Sequence, residues 1–276
     1  MNAASSIKSI ETTNLDVLIE VSNKNTLILS DITETLYKPC NTMSDKKWRT
    51  FVVERIKELI SDSSLASDIA KKVENMIVNQ VDKELVHKNA PQIIRDLQSK
   101  EIPFLAISAK NWSSPYDPHF GITTSNHLKK LDIDLEKSVR FITPSSGQEV
   151  EKTAEYIFAK GIIFTNKKPL DNALNTFLNR LENKPEQIII LENSSEHKGI
   201  YEAVAKAHGI ALTYVHHKSP DQEKGKVDPI LGTIEFLQFM KDETVIRDDE
   251  AMKIKEANPS IDFEALLKSC LIEHFQ

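Results

Sequence analysis

Short apolar runs along the chain end on, or lead into, residues that could handle a phosphate group. Asp31 closes LILSD (27–31), and Ser108 closes FLAIS (104–108). Lys167 and Lys168 follow GIIFT (161–165), and Glu192 with Asn193 completes the run that holds IIILE within 187–192. A carboxylate can attack phosphorus, an ammonium and a hydroxyl can hold phosphate oxygens, and paired oxygen donors suit Mg²⁺. Taken singly, each has an ordinary role: a turn or helix cap for Asp31, a solvated side chain for either lysine, a surface acid for Glu192. The set becomes chemical only if the runs are parallel strands whose carboxyl ends share one edge. Lys168 precedes Pro169, and proline suits a first helical position, which favours Lys168 slightly over Lys167 as the cation.

The elements that would place these residues are visible as patterns. Besides TLILS (26–30), FLAIS, GIIFT and IIILE, a fifth run, IALTYV (210–215), is short and rich in Ile, Leu and Val without clean alternation. Strands buried on both faces of a parallel sheet read this way. Helical patterns lie between them, with Ile93, Ile94 and Leu97 on one face and Leu174, Phe177, Leu178 and Leu181 on another. The alternation predicts an α/β fold with a doubly wound, mostly parallel sheet. Residues 44–89 break it with two helical stripes, Trp48 to Ile60 and Leu65 to Ile77, read as an insertion after the first strand. Residues 115–150, with Pro115, Pro118, Gly121, Pro144 and Gly147, read as a long excursion over the carboxyl edge. Ser260 in NPS is placed to cap a last helix lined by Phe263, Leu266, Leu267, Cys270 and Leu271. The run KDETVIRDDE (241–250) reads as solvated surface.

Composition narrows the class. The 276 residues are 40% hydrophobic and 28% charged, an ordinary globular balance. The net charge of −6 argues against a nucleic-acid binder, which needs a basic surface. Two distant cysteines, Cys40 and Cys270, read as free thiols in a reducing compartment. The start shows no basic segment followed by an apolar core, and no run approaches the roughly 20 apolar residues of a membrane span. A soluble, cytoplasmic protein is the expectation. His197, His216 and His217 lack the thiolates and spacing of a zinc site.

Four stretches, LILSDITETL, APQIIRDLQSKEIPFLAISAK, GIIFTNKKPLDNALNTFL and PEQIIILENSSEH, resemble in order and spacing the haloacid dehalogenase-like (HAD) phosphohydrolase superfamily. Within it they are most similar to a bacterial branch defined as a domain of unknown function, which VIRDDEA (245–251) also resembles. The resemblance implies a HAD-like Rossmannoid core over 1–39 and 96–245, a helical cap over 40–95 and a C-terminal helical extension over 246–276. It implies a Mg²⁺-dependent phosphatase in which Asp31 is the nucleophile and forms an aspartyl-phosphate. Ser108 and Lys168 would bind the phosphoryl group. Asp31, the Thr33 carbonyl, Glu192 and Asn193 would hold Mg²⁺. Thr33 stands where hydrolases of this superfamily carry a second Asp that exchanges protons, whereas P-type ATPases carry Thr there and still form the acyl-phosphate. Loss of a general acid–base slows a reaction by roughly 10²–10⁴-fold, so the resemblance implies slow turnover of a phosphorylated small molecule or phosphoprotein. The alternative is a degenerate module that binds a phosphorylated ligand or a protein partner. Since the branch occurs in bacteria that live inside host cells, secretion into a host as an effector with a host protein partner is the alternative location.

Overall fold

The computed structural model describes residues 6–113, 119–142, 150–218 and 228–275. In chain order the elements are β1 Ile7–Thr12, α1 Val17–Val21, β2 Thr26–Ser30, β3 Tyr37–Pro39, α2 Lys46–Leu59, α3 Ser63–Gln80 and β4 Lys83–Leu85. They continue with α4 Ala90–Ser99, β5 Phe104–Ser108, α5 Phe120–Lys130, α6 Glu136–Val139, β6 Val150–Lys152, β7 Ile157–Ala159 and β8 Ile162–Phe164. The last are α7 Leu170–Arg180, β9 Gln187–Glu192, α8 Lys198–His208, β10 Ala211–His217, α9 Pro229–Asp242, α10 Asp248–Ala257 and α11 Phe263–Phe275. The chain is α/β and forms two units, Met1–Lys38 with Leu85–Gln222, and Pro39–Glu84 with Glu223–Gln276.

The first unit carries an eight-stranded sheet in the order β1-β10-β9-β2-β5-β8-β7-β6. It is parallel from β1 to β8, and β7 and β6 add antiparallel at one edge. Every residue of β2 is buried, and successive side chains take opposite faces as the strand period requires. Ile28, Phe104, Ala106, Ile189, Leu191 and Val215 pack with Leu18, Ile93, Ile94 and Leu97 on one face. Leu27, Leu29, Leu105, Ile107, Ile188, Ile190 and Tyr214 pack with Leu174, Phe177, Leu178 and Val204 on the other. From β2 the chain steps to β5 and β8, then returns to β9 and β10 on the opposite side. The strand order therefore reverses between β2 and β9.

The second unit is helical. Asp45 accepts from Lys47 N at 2.6 Å to start α2, and Asp62 accepts from Ser64 N at 2.8 Å to start α3, the usual way to satisfy first-turn donors. Trp48 is fully buried, its ring tilted against Phe236 and its Nε1–H donating to Pro229 O at 3.1 Å. Gly232 of α9 makes room for that ring, since a Cβ there would lie 2.4 Å from it.

Several expectations change. The boundary near residue 245 moves forward, because α9 belongs to the second unit and packs with the inserted helices α2 and α3. The chain thus divides differently from 1–39 with 96–245, 40–95 and 246–276. Strand β1, missed in the sequence, lies at the sheet edge, where exposed residues such as Lys8 and Ser9 hide its pattern. The excursion over 115–150 contains α5 and α6; Gly121 lies inside α5, while Pro115, Pro118, Pro144 and Gly147 lie outside the described residues. Asp262, not Ser260, caps α11, accepting from Ala265 N at 3.0 Å. The 241–250 run is more than solvated surface: Asp248 accepts from Thr42 N at 2.7 Å. Both cysteines are free.

Candidate functional site

The reversal of strand order at β2 and β9 opens a crevice at their carboxyl ends, where open α/β sheets bind ligands. Asp31 N donates to Leu191 O at 2.9 Å, tying the end of β2 to the end of β9. A tight turn follows, closed by Leu36 N to Ile32 O at 2.9 Å, with Glu34 in the left-handed region at φ 61°. A cavity of about 440 Å³ sits here, lined by Asp31, Thr165, Lys167, Lys168, Glu192, Asn193, His197 and Tyr201 among others. Asp31, both candidate lysines, Glu192 and Asn193 thus share one space, as strand-end logic predicts.

The other two predicted residues do not line it. Thr33 is exposed in the turn, bridged to Tyr37. Ser108 Oγ accepts from Lys110 N at 3.3 Å, and Ser108 O accepts from Thr165 N at 2.9 Å. Thr35, buried in the same turn, faces Asp31 Oδ2 at 3.5 Å.

The two acids differ in surroundings. Burial pushes Asp31 up to about 6, and the neighbouring Glu192 carboxylate adds to the rise. The Ile32 backbone N–H, the Lys110 ammonium and the Thr35 hydroxyl oppose it. Glu192 is 5% exposed, and each of its oxygens accepts a tyrosine hydroxyl: Tyr201 on Oε1 at 2.7 Å and Tyr214 on Oε2 at 2.9 Å. Burial raises Glu192, and these hydroxyls with His197 oppose the rise. His197 Nδ1 lies 3.8 Å from Glu192 Oε1. Asn193 O faces His216 Nε2 at 3.2 Å.

The lysines stand on a strained support. Asn166 and Lys167 are consecutive non-glycine residues in the left-handed region, at φ 52° and 61°. Such conformations cost about 1–3 kcal/mol each and persist only when the surroundings hold them. Here Asn166 Oδ1 accepts from Trp112 N at 2.8 Å, Lys167 N donates to Ala109 O at 3.1 Å, and Lys168 N donates to Thr165 O at 2.9 Å.

Mg²⁺ fits this donor set poorly. The ion needs near-octahedral oxygen geometry at roughly 2.0–2.1 Å. Each oxygen of Glu192 already accepts a tyrosine hydroxyl, which fixes its orientation, Thr33 lies outside the cavity lining, and Asn193 is uncharged. Among the described residues no three His, Cys, Asp or Glu side chains are grouped to hold a metal.

Tyr201, Tyr214, His197 and Lys110 were not singled out as site residues in the sequence. A signal for the first three existed only in combination. Tyr214 lies in β10 beside β9, and His197 and Tyr201 open α8 after Glu192, so the strand pairing brings them to one acid.

The fold and site define an α/β protein with a carboxylate-and-lysine cavity at the switch point of a mostly parallel sheet. The chain belongs to the family described as Protein of unknown function (DUF2608), whose model matches residues 6–252. An uncharacterized protein of Rickettsia bellii (strain RML369-C) is 21% identical over 238 residues, covering 78% of each chain. No solved structure matches. Among the described residues no helix is long and apolar enough to cross a membrane.

Proposed function

We propose that the chain binds the phosphoryl group of a phosphomonoester at Asp31 and hydrolyses it slowly through an aspartyl-phosphate. The observation that carries this reading is the shared cavity at the switch point, lined by half-buried Asp31, buried Glu192 and the exposed Lys167 and Lys168. Ionised Asp31 attacks phosphorus, the ester P–O bond breaks, and the alcohol leaves, taking its proton from water. Water then attacks the acyl-phosphate, releasing inorganic phosphate and regenerating Asp31. Lys167 and Lys168 offset the charge of the phosphoryl oxygens throughout. Thr33 supplies no proton at neutral pH, which keeps both steps slow. A cavity of about 440 Å³ suits a phosphorylated small molecule, within the roughly 300–1,000 Å³ of small-ligand sites. In the HAD-like reading, α2 and α3, inserted between β3 and β4, are the cap segment.

The exposed place of Thr33 and the tyrosine-bound Glu192 favour a second reading, a module that holds a phosphorylated ligand without turning it over. Turnover of an aryl phosphate by wild type, Asp31→Asn and Thr33→Asp separates the two. Slow turnover lost in Asp31→Asn and raised about 10-fold or more in Thr33→Asp supports the hydrolase. Turnover unchanged in Asp31→Asn overturns the mechanism, and no turnover in wild type or Thr33→Asp supports the module.

A further inference from the structure

The chemistry that would normally place a divalent cation beside a nucleophilic aspartate is differently distributed in this cavity. A phosphomonoester dianion beside ionised Asp31 gathers about three negative charges, which a low-dielectric pocket cannot hold uncompensated. Two positive charges border the cavity, on the exposed side chains of Lys167 and Lys168. Lys110, on the loop after β5, is close enough to favour ionised Asp31. The backbone that carries the lysines is a strained turn fixed through Trp112, Ala109 and Thr165. Glu192 accepts a hydroxyl on each of its oxygens, from donors on separate elements, α8 and β10, which fix its carboxylate in place at the cavity wall.

We infer that this site takes its phosphoryl anion without a divalent cation, the Lys167 and Lys168 ammoniums standing in for the metal's charge while Tyr201 and Tyr214 hold Glu192 as a structural anchor. The inference rests on the phosphoryl-binding reading above and assigns how that site is charged. Ammoniums bind phosphate as point charges and impose no octahedral geometry, so an amide at Asn193 and a longer acid at Glu192 are no handicap.

Calorimetric titration of the full chain with inorganic phosphate, in Mg²⁺ and again in EDTA, tests it. The affinity of wild type is expected to agree between the two buffers within about 2-fold, which is about 0.4 kcal/mol. Lys167→Gln with Lys168→Gln weakens binding about 10-fold or more in both, with the melting temperature unchanged, as loss of charge-assisted contacts requires. Phosphate binding that needs Mg²⁺, or saturable Mg²⁺ binding lost in Glu192→Gln, overturns the inference and leaves the phosphoryl reading standing. No phosphate binding in either buffer overturns the phosphoryl reading, and the inference falls with it. The wild-type comparison needs no variant, so a misfolded double mutant does not blunt the test.

Discussion

Asp31 is half-buried beside a second carboxylate, and this sets when it can act. Its carboxyl is raised to about 6 by burial and by Glu192, so in the proposed mechanism it is protonated below that pH and no longer a nucleophile. The rate of aryl phosphate hydrolysis should therefore rise about tenfold per pH unit up to about 6 and level off above it. A pH–rate profile of wild type checks this; a profile flat from pH 4 to 8 would remove Asp31 from the rate-limiting attack. Among the candidate residues, those whose position depends only on a strand end were legible: Asp31, Lys167, Lys168, Glu192 and Asn193 do line one cavity. Ser108 and Thr33 were not, because their placement turns on local hydrogen bonds, to Lys110 N and Tyr37, that no residue pattern specifies. The anchoring of Glu192 was hidden for a related reason. It depends on Tyr201 and Tyr214, 9 and 22 residues away, meeting one acid.

At the scale of elements, α9 shows how a small residue can decide packing. Gly to Ala inside a helix ordinarily stabilises by about 1 kcal/mol. At Gly232 the added carbon would meet the Cδ1, Cγ and Nε1 atoms of Trp48 at 2.4–2.6 Å, and Trp48 is too buried to swing away. Overpacking of this kind costs about 1–3 kcal/mol, so it outweighs the propensity gain. Gly232→Ala should lower the stability of the second unit by about 1–2 kcal/mol. Gly199→Ala, with nothing within 4 Å of its Cβ in α8, should be neutral or stabilise by up to about 1 kcal/mol. Urea midpoints of the two variants check the contrast; equal shifts would mean that Trp48 relaxes. The same element marks a limit of sequence reading. The inner strands and the helices α2, α3, α4 and α7 announce themselves by apolar runs or stripes, since burial on one or both faces dictates composition. That α9 packs with α2 and α3 follows from a tertiary choice between distant segments, and β1 lies at an edge where alternation is weak.

For the whole molecule, two buried groups, His217 in the first unit and Glu235 in the second, should contribute to stability with opposite dependence on pH. In the first unit His217 is fully buried, its Nδ1 3.0 Å from His87 Nε2, and burial with the His87 neighbour lowers it to about 4. His87 is lowered too, by burial. The unfolded chain takes up these protons near pH 6.5 while the folded one resists, so the histidine contribution to stability falls as pH drops below that value, and Asp31, raised to about 6, opposes part of the fall. For His217 alone the loss approaches about 3 kcal/mol by pH 4. In the second unit Glu235 is fully buried and accepts from Met43 N at 2.6 Å, and burial with the nearby Asp248 raises it to about 9. Here the folded state holds a proton that the unfolded state releases near pH 4.5, so this contribution fades as pH climbs toward 9. Glu235→Gln, which keeps the neutral shape, should flatten the alkaline decline, and His217→Gln should flatten the acid one. Calorimetric scans of both variants between pH 4 and 9 decide the matter. An alkaline slope unchanged in Glu235→Gln would mean that the decline comes from the other raised carboxyls, Asp31 and Glu192, and not from Glu235. An acid slope that survives in His217→Gln would shift the acid limb to His87 or to Glu11 and Glu136, whose carboxyls ion pairing with lysines holds low in the folded state.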